Sequence, residues 1–178
     1  MMKIGRIAAA FFMLAFAPSL FAADAVAPLK DADIAAFISI WPQTAQALAA
    51  ADPEFDPALT NALRSQLEEM AASDSKESRL DAAVAAVGYA DFETFAAMAG
   101  RILLAGQWAK NAPDAGDLNA AIDAIEKDAL RTADERAELI AALKKAYNKV
   151  LADKPSDDDI AVAKPFVGAI DKAITVDE

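Results

Sequence analysis

Arg101 is the residue whose type and position most suggest a binding site. It lies in the middle of residues 92–109, the most apolar stretch outside the first twenty-five residues. A guanidinium group is always charged, so in such surroundings it must find a partner or reach water. Two interpretations follow from this. Arg101 forms a structural ion pair with an acid elsewhere in the chain, or it lines a cavity and holds the carboxylate of a ligand.

Small residues accompany Arg101 on the same predicted helix. Glycine at positions 100 and 106 lets another backbone approach closely, or leaves room for a small apolar ligand. A tryptophan near the end of the segment packs at the edge of the core or against such a ligand. The candidate ligand pocket therefore consists of Arg101, Gly100, Gly106 and Trp108.

Other groups of residues are weaker candidates for a functional site. Asp52, Glu54 and Asp56 alternate as at the start of a calcium-binding loop, but Pro57 and Leu63 stand where that loop needs glycine and glutamate. The aspartates at 157–159 suit the start of a helix. With 28 acidic residues, no particular pair can be nominated for hydrolysis by two carboxylates. We predict no metal site and no cofactor.

Cysteine and histidine are both absent. A chain without these residues has no disulfides, no thiol chemistry, no Ser-His-Asp or Cys-His triad and no ordinary zinc or haem ligands. The inventory therefore favours a protein that does not catalyse reactions.

The first residues have the layout of a secretory signal peptide. Lys3 and Arg6 precede an apolar run, and a breaker with small residues follows at 18–22. The run is shorter than the ~20 residues of a membrane span. We predict a signal peptide at 1–22, with cleavage after Ala22 or Ala25. The helical domain at 23–178 is then periplasmic or secreted, without stable membrane insertion.

The charge of the chain bears on its partners. Seventeen basic residues stand against 28 acidic ones, and removal of Lys3 and Arg6 takes the net charge from −11 to about −13. Such a chain repels phosphate backbones, so nucleic acid is not an expected partner. Cationic peptides, basic proteins or hard metal ions would be attracted. The expected partner is another envelope protein or a basic partner. The oligomeric state is not determined by the sequence.

Alanine-rich composition and scarce glycine predict an all-α fold without period-two strands. The expected architecture is a single-domain bundle of about six or seven helices around the buried helix at 92–109. A helix is also predicted from Asp31, and at Pro42 it either kinks at Trp41 or gives way to a new helix that starts with Pro42. A second is predicted to start at Asp56 with Leu59 turned inward, and a third over 78–87. Three more are predicted over 118–130, over 132–152 with Leu151 turned inward, and after Ser156, where Pro165 bends or breaks the helix.

Short segments of the chain resemble small exported, all-helical bacterial proteins that have no characterised activity. The resemblance rests on residues 31–42, on Gly88-Tyr89-Ala90-Asp91-Phe92, and on residues 162–166. It implies a helical fold and export, and it implies no activity, cofactor or functional residue.

These observations together favour a soluble periplasmic protein that binds another protein without catalysis. A carrier of a small apolar or carboxylate-bearing ligand, with its pocket beside residues 100–106, is the first alternative. A carboxylate-dependent hydrolase of cell-wall material is the second.

Overall fold

The structure is a computed structural model that describes residues 27–73 and 77–175. The predicted signal peptide and both of its cleavage sites lie outside the described residues. Most of the described residues are helical, and none of them is in a strand. The all-α fold class is therefore confirmed. The helices are α1 (Asp31–Ala51), α2 (Leu63–Ala71), α3 (Glu77–Ala85), α4 (Phe92–Asn111), α5 (Ala115–Glu126), α6 (Ala133–Ala152), α7 (Asp157–Ala163) and α8 (Val167–Ile174).

The chain divides into two compact units. The larger unit contains α1 to α4, α7 and α8, and the smaller unit, Ala112–Lys154, contains α5 and α6. In the larger unit α4 packs against α2, α3, α7 and α8, while α1 packs against α3, α7 and α8. The predicted central role of the apolar helix is thus confirmed within this unit.

Aromatic rings join α1 to α4 in the core of the larger unit. The rings of Trp41 and Phe95 are stacked, with centroids 6.5 Å apart, and the ring centroids of Phe37 and Trp41 are 5.3 Å apart. Tyr89 meets Phe95 edge-on at 5.1 Å. Such pairs are worth about 0.5–1.5 kcal/mol each beyond the area they bury.

Helix α1 continues through Pro42. Proline has no N–H and crowds the preceding turn, which is why an interruption was predicted. Buried residues lie on one stripe on both sides of the proline, including Trp41 and Leu48, so a break would take one half of the stripe out of the core. By length and hydropathy α1 could also cross a membrane, a test that core helices pass as well.

The prediction of a helix starting at Asp56 is wrong. The side chain of Asp56 accepts a hydrogen bond from Ala58 N–H at 2.9 Å, and both backbone groups of Asp56 bond the Gln66 side chain. These bonds hold residues 57–62 as turns, and α2 starts at Leu63. Leu59 is consequently half exposed instead of turned inward.

Gly88 ends the segment after α3 as its sequence predicts. Its φ is +94°, a conformation that glycine adopts without the steric cost met by other residues. The N–H of Tyr89 donates to the Val84 carbonyl at 3.2 Å and closes the helix end.

The smaller unit is a helical hairpin. Its second helix opens with the predicted capping box, in which Thr132 and Glu135 each accept a hydrogen bond from the other's backbone N–H. Its apolar residues are less buried than predicted, since no residue of α5 is fully buried and Leu151 is 41% exposed. Leu130, predicted to end the helix, lies in the turn and is 97% exposed.

The C-terminal helix is divided as Pro165 predicts. Ser156 caps α7 by accepting from the N–H of Asp159, and a short 3-10 turn at Lys164–Phe166 separates α7 from α8. Ile170 and Ile174 of α8 are buried in the core. One face of α8 therefore points to α4, and its other side borders α1.

Candidate functional site

A groove of about 560 Å³ runs between α1 and α8. This volume is within the roughly 300–1,000 Å³ typical of small-molecule sites. Its lining is mostly apolar, with small side chains on both helices. The residues that line it are Ile38, Trp41, Pro42, Ala45, Gln46, Ala49, Pro57, Ala169, Lys172, Ala173 and Thr175.

Paired alanines create the groove. Ala45 and Ala49 on α1 are four residues apart, as are Ala169 and Ala173 on α8. Residues at this spacing lie on one helix face. Because methyl groups cannot fill the space between the two helices, an open channel remains above Trp41.

Two polar features of α1 adjoin the groove. The indole Nε1–H of Trp41 is buried and has no hydrogen-bond acceptor among the described residues. An unpaired buried donor of this kind costs about 1–3 kcal/mol. Pro42 has no N–H, so the carbonyl of Ile38 lacks the donor it would normally have one turn later. Both Ile38 and Pro42 line the groove.

Lys172 is the only cation among the residues lining this groove. It is exposed, and no described acid lies within ion-pair distance of its ammonium. The larger unit, taken over Ala17–Asn111 and Pro155–Glu178, has eight basic and nineteen acidic residues. Lys30 and Lys164 of the same unit likewise have no described acid in ion-pair distance, so what distinguishes Lys172 is its position at the groove.

A second, smaller cleft of about 240 Å³ lies on the other side of α8. Gly106 is part of its floor, and Arg64 and Lys110 are its two cations. A Cβ atom placed on Gly106 would come 3.3 Å from Cδ1 of Ile170, so glycine allows α4 and α8 to pack closely here.

Arg101 is engaged in an ion pair. Its Nη2 donates to both carboxylate oxygens of Asp159, at 2.9 and 3.1 Å, and to the Ala27 carbonyl at 3.1 Å. The Leu29 N–H donates to the same carboxylate at 2.8 Å. This arrangement supports the first of the two interpretations, a structural ion pair, because the pair connects the segment before α1 to α4 and α7.

Neither of the two cavities described above brings the four predicted pocket residues together. Gly106 lines the smaller cleft, whereas Arg101, Gly100 and Trp108 line neither of the two cavities described above. Gly100 and Trp108 are buried in α4. Small residues at 96, 99 and 100 lie at this buried face, so they serve helix packing.

The buried acids have structural partners, although Oε2 of Glu68 is buried with no hydrogen-bond partner among the described residues. Asp52 accepts from the N–H of Glu54 at 3.2 Å, which forms the turn after α1, and Glu68 pairs with Arg64 at 2.7 Å. No group of three or more potential metal-ligating side chains occurs in the described ranges. The groove is lined by no acid and the smaller cleft by one, Asp171.

The pKa values of Tyr89, Asp91 and Glu135 are shifted, each for a local reason. Burial, with a smaller contribution from Asp33, raises the pKa of Tyr89 above its ordinary 10.0. Hydrogen bonds from the backbone and side chain of Thr94 lower the pKa of Asp91, and the same groups of Thr132 lower the pKa of Glu135. None of these residues lines either cavity, so their shifts reflect core packing and helix capping.

Sequence reasoning missed both the groove and the two cations of the cleft. The paired alanines at 45/49 and 169/173 were the available signal for the groove. Arg64 could have been found from its i, i+4 spacing to Glu68. Neither pattern says which helices become neighbours, and this decides whether a cavity forms.

No family model, curated protein or solved structure matches this chain. The resemblance to small exported helical proteins therefore stays a prediction. The candidate site has to be interpreted from its own geometry and chemistry.

Proposed function

We propose that this chain is an exported, non-catalytic binding protein that carries an apolar molecule with an anionic head in the groove between α1 and α8. The observation that carries the proposal is the groove itself, about 560 Å³ in volume and lined mainly by apolar side chains. Ligand sites are typically concave and apolar, with a few polar groups that orient the ligand. The lining of this groove fits that description, with mostly apolar side chains and a few polar ones, including Lys172.

The apolar part of the ligand lies along the alanine-lined channel. Ile38, Ala45 and Ala49 on one wall and Ala169 and Ala173 on the other offer only carbon atoms from their side chains. Burial of apolar surface there contributes about 25 cal/mol per Å². An extended hydrocarbon chain, such as that of a fatty acid, fits a channel between two helices.

The anionic head belongs at Lys172, in the last turn of α8. Its ammonium group has no acid to displace among the described residues, so a ligand carboxylate does not compete with an existing ion pair. An ion pair at an exposed lysine is worth up to about 1 kcal/mol, or roughly fivefold in affinity. Lys172 therefore contributes mainly to selectivity.

Export is part of the same proposal. A basic start, an apolar run and small residues before Ala22 and Ala25 support a signal peptide and a periplasmic location. A carrier of apolar molecules would be useful in that compartment, because such molecules are poorly soluble in the water between two membranes.

The test uses the indole N–H resonances of the ¹⁵N-labelled protein. The chain has two tryptophans, so two resonances are expected, and Trp108→Phe assigns them. Titration with decanoate is expected to shift the Trp41 resonance in a saturable way and to leave that of Trp108 in place. Decanol, the uncharged counterpart, is expected to bind about fivefold more weakly.

Matched variants locate the binding. Ala169→Phe fills the groove from an exposed position and should abolish the shift, whereas Ala161→Phe, exposed on α7, should not. Lys172→Gln should remove the preference for decanoate over decanol, and Lys164→Gln should keep it. The proposal is wrong if neither compound shifts Trp41, or if Ala169→Phe binds as the unaltered protein does.

Binding to another envelope protein stays a prediction. The feature that favours it is the set of exposed leucines in the smaller unit, which are Leu130, Leu139 and Leu151. Hydrolysis of cell-wall material also stays a prediction. Neither cavity described above brings two carboxylates together, so this geometry does not support it.

A further inference from the structure

We infer that the cleft on the other side of α8 is a second binding site, for a small carboxylate with a short apolar tail. It is separate from the groove of the proposed function, and the two share only α8, whose residues 167, 170, 171 and 174 line the cleft. The inference rests on the two cations that converge there and on the apolar floor beneath them.

Arg64 is positioned to recognise a carboxylate. Its Nε donates to Oε1 of Glu68 at 2.7 Å, and the Glu68 side chain is only 6% exposed. A nearly buried carboxylate therefore orients the guanidinium. The two terminal nitrogens donate to no acceptor among the described residues. A guanidinium fork held in this way matches the two oxygens of a carboxylate.

Lys110 supplies the second positive charge from the last turn of α4. Its ammonium pairs with Asp171 of α8, and both side chains are nearly half exposed. Exposed ion pairs of this kind are weak and exchange partners readily. A bound anion can therefore share Lys110 with Asp171 without breaking a strong interaction.

The floor and rim of the cleft define the rest of the ligand. Leu103, Ile170 and Ile174 form an apolar floor beside Gly106, where an added Cβ would lie 3.3 Å from Cδ1 of Ile170. Thr60, Gln107 and Asn111 stand at the rim and offer hydrogen bonds. At about 240 Å³ the cleft is smaller than a typical drug-sized site, so it admits a tail of only a few carbons.

The test is titration of the ¹⁵N-labelled protein with 4-methylpentanoate and with its neutral counterpart, 4-methylpentanamide. The acid is expected to shift the Arg64 Nε–H resonance and the amides of Gly106, Gln107 and Asn111 in a saturable way. The amide is expected to leave these resonances in place.

The deciding variant is Arg64→Lys. A lysine at 64 keeps a positive charge beside Glu68, so the fold is retained, but it lacks the planar fork, and binding should weaken about tenfold. Arg79→Lys, exposed on α3, should bind as the unaltered protein does. Thermal unfolding verifies that Arg64→Lys is folded.

Two results would overturn the inference, namely equal shifts with acid and amide, or unchanged affinity in Arg64→Lys. Failure here is distinguishable from failure of the proposed function. Ala169→Phe blocks the groove and should leave 4-methylpentanoate binding unchanged, while Arg64→Lys should leave the decanoate shift of Trp41 unchanged.

Discussion

At the scale of single residues, Arg101 and Lys172 show how a positively charged side chain can serve two purposes. Arg101 lies in the most apolar helix, and its charge is neutralised by Asp159, which is 5% exposed. Lys172 lies on the surface beside an apolar groove, with no described acid in ion-pair distance. The partly buried cation, Arg101, is structural, and the exposed one, Lys172, has no described acid that would compete with a ligand.

Removal of the Arg101 charge should destabilise the fold. In Arg101→Met the buried Asp159 carboxylate keeps only the Leu29 N–H bond and its position at the N-terminal end of α7. The expected loss in the free energy of unfolding is about 2–3 kcal/mol. Urea unfolding followed by circular dichroism measures it.

Lys110→Met is the matched control, because the pair that Lys110 forms with Asp171 is exposed on both sides. Its expected cost is below about 1 kcal/mol. If Arg101→Met costs no more than Lys110→Met, the ion pair with Asp159 does not anchor the segment before α1.

At the scale of helices, local signals predicted the ends well where a side chain meets the backbone next to it. The capping box at Thr132 and the cap at Ser156 are both present, because such bonds span only three residues. Local signals failed at Asp56, and at Pro42 no new helix starts. Core burial of α1 outweighed the proline, and the bonds from Gln66 held Asp56 in a turn.

The candidate site could not be predicted from the sequence for a related reason. Arg101 and its partner Asp159 are 58 residues apart, and the walls of the groove come from opposite ends of the described chain. Helix spacing identifies the apolar face of each helix, but it does not say which two faces meet. Only the packed structure shows that α1 and α8 leave a channel.

Two glycines provide a prediction at this scale. Gly88 has φ of +94°, so Gly88→Ala is expected to cost about 1–2 kcal/mol and to lower Tm by several degrees. Gly168 lies in α8, and a Cβ there meets no atom within 4 Å. Gly168→Ala should therefore raise stability by about 0.5–1 kcal/mol.

Thermal unfolding followed by circular dichroism compares the two variants. Opposite signs of the change in Tm are expected. A stabilising Gly88→Ala would show that the turn after α3 does not require a left-handed residue.

At the scale of the whole molecule, the two units differ in charge and in burial. The larger unit has a net charge of −11 over Ala17–Asn111 and Pro155–Glu178, and its core is built around α4. The smaller unit, Ala112–Lys154, has nine acids and seven basic residues. Both cavities described here lie in the larger unit, so ligand binding is expected to depend on that unit.

Native mass spectrometry tests the central claim, ligand carriage in the α1–α8 groove, most directly. The full chain is produced in a bacterial host, purified from the periplasm without detergent, and incubated with decanoate. We predict one bound decanoate per protein, lost in Ala169→Phe and kept in Ala161→Phe. Protein without bound decanoate under these conditions, or equal binding of decanoate by the two variants, would contradict ligand carriage in this groove.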